Sequence, residues 1–166
     1  RKARAADRMF WLDREGICAS DGGAPDILTD DDLYPVFPHS GTSTQGSTVN
    51  GILAPNLALA QEANLRLSQG ADRLRFLYVD SGGSRRELEY RMRPGDAPNG
   101  WFPHVYTPGV ACAYYEEGPG KHTWLMGGAD ATTAKLYQLT DAQSDGGSAI
   151  VWSGTPQYEN VGDPRK

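Results

Sequence analysis

This chain has few of the residues that usually do chemistry. Its 166 residues include two cysteines and three histidines. Neither set has the spacing of metal ligands, and two cysteines are too few for a disulfide framework. Cys18 and Cys112 each lie in an apolar context and are expected as buried free thiols. His39, His104 and His122 are scattered and read as turn or surface residues. There is no Gly-X-Ser-X-Gly elbow, no phosphate-cradling P-loop and no His-Glu-X-X-His. These absences argue against the corresponding hydrolase, nucleotide and zinc chemistries, so no catalytic residue, metal or cofactor is expected. Nor does any segment approach the ~18 consecutive apolar residues of a membrane span.

Positive charge is missing over a long stretch. No lysine or arginine occurs between Arg14 and Arg66, and Asp30-Asp31-Asp32 falls in that gap. The formal net charge is −5, unlike a chain built to wrap nucleic acid. From Arg66 to Arg93 the balance reverses, with seven arginines against four acids (Asp72, Asp80, Glu87, Glu89). Arg75, Arg85, Arg86, Arg91 and Arg93 are therefore the candidate interface residues of the chain.

Glycine and proline are plentiful, at 20 and 11 residues on a 39% hydrophobic background, which suits a turn-rich β protein. The clearest local pattern is RLRFLYVDSGGSRRELEYRM, residues 73 to 92. Leu74, Phe76 and Tyr78 share one face of an extended chain, and Leu77 and Val79 help cover the other. Asp80-Ser81-Gly82-Gly83-Ser84 makes a turn. Leu88, Tyr90 and Met92 then alternate with Glu87, Glu89, Arg91 and Arg93, completing a hairpin signal. Alternation of this kind predicts a buried Leu/Tyr/Met side and a solvated, charge-paired side, with Arg85 and Arg86 in the exposed turn.

Two further hairpin patterns lie at residues 8 to 20 (turn Asp13 to Gly16) and 122 to 141 (break at Gly127 to Ala134). Their repetition suggests a serial architecture. Strands at 64–68 and 100–106 complete a four-strand meander around the central hairpin. Strands at 110–116, 123–126, 135–139 and 149–153 repeat that count. The expected fold is all-β, built of antiparallel four-stranded, blade-like meanders as in a β-propeller. Residues 1–37 would form a partial first blade, and 38–63 an exposed loop and connection with an alternative short helix at 56–67. Residues 64–108 would form a second blade, 109–158 a third, and 159–166 a tail. So few blades cannot close a ring, and open edges invite pairing. The chain is therefore expected to be a segment of a larger propeller, or to have its edges covered by other subunits.

Other features have plain structural roles. Thr29-Asp30-Asp31-Asp32 reads as the capped start of a turn or single helical turn, because calcium loops alternate their ligands. Ser144-Asp145-Gly146-Gly147-Ser148 with Trp152 is similar to the aspartate box of sialidase-type propellers, itself a structural turn. Glu116-Glu117 could act in glycoside hydrolysis only with a second carboxylate across the sugar, and reads as a solvated strand end. Trp101, Tyr114, Tyr115, Trp124 and Tyr137 could stack on a sugar, but at strand positions they suit packing better.

In order, MFWLDREGICASDGGAPDILTDDDLYPVFP, LRFLYVDSGGSRRELEYRM with GWFPHVYTPGVACAYYEEG, and LMGGADATTAKLYQLTDAQSDGGSAIVW with TPQYENVGDPRK form a familiar succession. It resembles β-propeller structural proteins of short-tailed bacteriophages, over Met9 to Lys166. The turn Ala129 to Ala134 departs from that pattern by being longer. The resemblance implies a tail or head-to-tail connector component in the virion, assembled in the bacterial host cytoplasm. Its partners would be other virion proteins and copies of itself in a ring, with passing contact with packaged DNA. It implies no catalytic residues. The net acidic charge suits a conduit wall from which DNA must slide freely, because each phosphate contact adds affinity. A carbohydrate-binding or glycosidase-type propeller used in host recognition is the alternative.

Overall fold

The structure is a computed structural model that describes residues 8–13, 15–33, 36–37, 48–49, 51–56, 63–70, 72–92, 100–106, 109–119, 121–128, 135–139, 144–145 and 148–149. Among the described residues it is all-β with almost no helix beyond the four-residue turn α1 (Asp30–Leu33), and its sheets are open and antiparallel. The first sheet is β1 (Met9–Asp13), β2 (Gly16–Ser20) and β3 (Asp26–Ile27). A short ladder joins β4 (Thr48–Val49) to β5 (Ile52–Leu53). The central sheet is a meander of β6 (Arg66–Gly70), β7 (Arg73–Val79), β8 (Arg85–Arg91) and β9 (Gly100–His104). The third sheet is β10 (Val110–Gly118), β11 (Lys121–Gly128) and β12 (Leu136–Gln138). A last ladder pairs β13 (Ser144–Asp145) with β14 (Ser148–Ala149).

All three hairpins expected from alternation are present. The central meander has its four strands, with the first shifted to Arg66–Gly70. Among the described residues the third sheet has three strands, and Ala149 of the expected fourth pairs with Ser144 in the separate ladder. Residues 150–153 lie outside the described residues, as do 57–62 of the alternative helix at 56–67, whose last residues Arg66 and Leu67 belong to β6 instead. The central turn forms through Asp80, whose backbone N–H donates to Ser84 O at 2.8 Å and whose Oδ1 accepts from Ser84 N at 2.8 Å. Gly83 takes φ +86° there, a conformation costly for any residue with a Cβ.

The sheets stack in chain order, with the central sheet between the other two. Leu74, Phe76, Tyr78, Leu88 and Tyr90 form one core with Ile17 of β2 and with Leu33, Val36, Phe37 and Ile52. Phe76 stacks on Tyr78 with ring centroids 5.2 Å apart, and Phe37 tilts against it at 6.0 Å. Trp101 of β9 packs on Tyr90 and donates its indole N–H to Leu28 O at 2.9 Å, joining the first and central sheets. On the opposite face Leu77 joins Val110, Ala113, Trp124 and Met126 of the third sheet. Ser68 of β6 donates its hydroxyl to Ala113 O at 2.7 Å. A Cβ on Gly70 would lie 2.2 Å from that of Tyr115, so only glycine allows so close an approach.

This stacking overturns the expectation of a solvated charged face. Arg75, Glu87 and Glu89 are buried, because the face they share with Leu77 is covered by the third sheet. Arg85 and Arg86 lie half-buried on β8, not in an exposed turn. Cys18 is buried as expected, but Cys112 is exposed. A bulge between Val110 and Cys112 shifts the register of β10 against β11. Val110 and Ala113 both point inward as a result, and Cys112 turns outward beside Tyr114.

The single helical turn expected at Asp30-Asp31-Asp32 is present. The Thr29 hydroxyl accepts from Ile17 N at 3.2 Å, so it ties this turn to β2.

Candidate functional site

The densest set of polar side chains lies on the third-sheet face of β7, β8 and β9. Strand register puts Arg75 directly opposite Glu89, and Glu87 between Leu77 and His104. The Arg75 guanidinium donates Nη1 to Glu87 Oε1 in a short contact, and Nη2 to Glu89 Oε2 at 2.5 Å. These three side chains are 1%, 0% and 1% exposed. The Tyr106 hydroxyl lies 3.3 Å from Arg75 Nη1 and 3.4 Å from Glu87 Oε1. Trp124 of β11 closes the cluster, with the Arg75 guanidinium 4.7 Å from its ring centroid, and Tyr115 packs on Trp124 at 5.3 Å.

The rim differs. Arg91 Nε reaches Glu89 Oε1 at 2.6 Å, and its guanidinium lies over Phe102 at 4.3 Å. Arg73 Nη1 lies 3.4 Å from Glu89 Oε2. His104 Nε2 stands 3.8 Å from the same oxygen, beyond hydrogen-bond distance. Three buried polar atoms lack a partner among the described residues: Arg75 Nε, Glu87 Oε2 and His104 Nε2.

The electrostatics follow from these partners. Burial opposes the charge of every member. For Glu89 it is outweighed by the Arg91 hydrogen bond and by Arg75 and Arg73, so its carboxyl is held below the ordinary range. Glu87 has Arg75 as its cation and Glu89 as an opposing anion, and burial pushes its carboxyl up to about 7. Burial also lowers His104, favouring the neutral imidazole. Arg75 stays firmly charged, because Glu87, Tyr106 and Glu89 together outweigh its own burial.

Donor atoms of Glu87, Glu89 and His104 lie within 4.8 Å of one another. A cation is nonetheless poorly served there, since both carboxylates already accept from Arg75 and Glu89 has two further guanidinium neighbours. The centre of the cluster is an ion-pair network in which Arg75, Glu87 and Glu89 are buried.

No family model, curated protein or solved structure matches this chain.

Of the candidate interface residues, Arg75 and Arg91 meet at Glu89, while Arg85 and Arg86 are engaged elsewhere. Arg75 is internal, and Arg91 belongs to the rim of the cluster. Arg86 donates Nε to Asp80 Oδ2 at 2.8 Å, fixing the central turn. Arg85 donates to Asn64, just before β6, at 3.2 Å. Arg93, like His39, lies outside the described residues. Glu87, Glu89, Tyr106 and Trp124 were not singled out as partners of Arg75, and His104 read as a surface or turn residue. One signal could have found them: Leu77 and Val79, on the Arg75 face of a strand apolar on both sides, mark a strand covered twice.

Of the five aromatics considered for sugar stacking, Trp101, Tyr115, Trp124 and Tyr137 pack against core residues. Tyr114, 66% exposed, is the exception. Among the described residues no helix is long and apolar enough to cross a membrane.

Proposed function

We propose that this chain is a non-enzymatic structural component of a virion: a β-propeller segment in the tail or head-to-tail conduit of a short-tailed phage, acting by packing sheet on sheet and subunit on subunit. The observation that carries this reading is the serial stacking of three antiparallel sheets in chain order, with the one dense charged cluster spent on joining two of them. A strand meander whose arginines and carboxylates pair with one another internally is organised for assembly. Its partners would be other virion proteins and copies of itself in a ring. The net charge of −5 suits a wall along which DNA passes without being held. The order of sequence phrases from Met9 to Lys166 supplies the phage setting, and propeller geometry would give the stacked sheets their continuation.

The sugar-binding alternative loses support because four of its five aromatics are engaged in packing. The full-length protein containing this chain, studied by light scattering and negative-stain microscopy, should form rings and copurify with virions. A monomer that binds immobilised glycans and is absent from purified particles would refute the proposal.

A further inference from the structure

The sealed part of the charged face holds one cation, Arg75, and two anions, Glu87 and Glu89. Among the described residues, the one fully buried positive charge faces two buried negative ones, and only Glu89 has further cations, Arg91 and Arg73, reaching it from the rim. Burying an uncompensated charge is costly, and proteins relieve the cost by moving a proton.

The neighbours decide which carboxylate takes it. Arg91 and Arg73, 31% and 37% exposed, both contact Glu89 from the rim. Glu87 shares Arg75 alone, and its Oε2 has no partner. Across the ladder it meets Leu77 of β7 and His104 of β9, with Tyr106 beyond. On β8 itself Arg85 is turned to Asn64, and on β6 Arg66 donates to its own neighbour, Leu65 O. The third sheet contributes Tyr115 and Tyr137 beside Trp124. Among the described residues, none of these brings Glu87 a second positive charge.

We propose that this cluster is a proton site: one proton is taken up at Glu87 Oε2, matching the fully buried charges one to one and firming the joint between the central and third sheets. Neutral His104, whose Nε2 is also unpartnered, offers an acceptor nearby for the carboxyl O–H. The two groups then act on stability in opposite directions. Glu87, raised from 4.5 to about 7, stabilises fully below 4.5, and that contribution is lost as pH rises through about 7. His104, lowered from 6.5, costs stability as pH falls below 6.5, because the unfolded chain then binds the proton more readily. Below pH 6.5 each group opposes the slope of the other.

The test is carbon-13 NMR of the intact chain labelled at glutamate carboxyls, titrated alongside thermal unfolding. One glutamate carbon should titrate near pH 7 and be missing from the Glu87→Gln spectrum. In His104→Gln, the melting temperature should fall as pH rises from 4.5 to 7, more steeply than in wild type. That second variant reports on Glu87 even if Glu87→Gln fails to fold. If every glutamate carbon titrates near the ordinary value of about 4.3, or if the high-titrating carbon survives Glu87→Gln, the proposal is overturned. It is equally overturned if Zn2+ added at pH 6, where the proton is assigned, raises the melting temperature of wild type but not of Glu87→Gln, since a metal would then hold the place assigned to the proton.

Discussion

The two faces of the central sheet are joined to their neighbours by different physics. Toward the first sheet, Leu74, Phe76, Tyr78, Leu88 and Tyr90 meet other apolar groups. Each such large side chain contributes roughly 1.5–3 kcal/mol by leaving water. Toward the third sheet, Leu77 meets Trp124 and Met126, but the same face also carries Arg75, Glu87 and Glu89. There the Coulombic gain is largely cancelled by desolvation, and the net contribution of a buried pair is close to zero. The apolar face therefore holds the fold together, while the charged face mainly penalises any arrangement that separates its partners.

That contrast is sharpest where one charge is removed. Arg75→Met should leave Glu87 buried without its cation and Glu89 with only its rim partners Arg91 and Arg73. It should cost about 3–5 kcal/mol, read from urea denaturation at pH 8. Leu88→Ala, a simple cavity on the apolar face, should cost about 3 kcal/mol and give the same loss at pH 6 and pH 8. Arg86→Ala should cost about 1–2 kcal/mol by unpairing buried Asp80, which keeps its bond from Ser84 N. Burial works against the Asp80 charge, but Arg86 and Ser84 outweigh it and hold the carboxyl below 3.8. Its stabilisation is therefore present above 3.8 and lost as pH falls through the lower folded value. Acid titration of Arg86→Ala followed by circular dichroism should show a smaller loss over that window. Tyr114→Ser, on the outward side of β10, should change stability by no more than about 0.5 kcal/mol in a melting experiment. A larger loss there would mean that the outward side of the third sheet is also packed.

The same contrast explains what could be read in advance. The hairpins were legible because strand alternation and Gly/Asp turns are local: Asp80 to Ser84 forms its turn with its own backbone. The fate of the charged face was not. Arg75, Glu87 and Glu89 alternate with apolar residues in the same way whether water or another sheet lies above them. Their enclosure depends on Trp124 and Ala113, some 40 residues further along the chain. The outward turn of Cys112 was hidden for a related reason, since the bulge after Val110 changes the strand's parity without changing its composition.

The measurement that tests the enclosed charged face most directly compares the urea stability of Arg75→Met with that of the triple variant Arg75→Met, Glu87→Leu, Glu89→Leu. If the three charges are sealed between the sheets, the triple variant should recover at least the stability lost by the single one, because no unpaired charge remains to be buried. If Arg75→Met costs less than about 0.5 kcal/mol, or if the triple variant is no more stable than the single one, the charges are solvated and the enclosure is refuted.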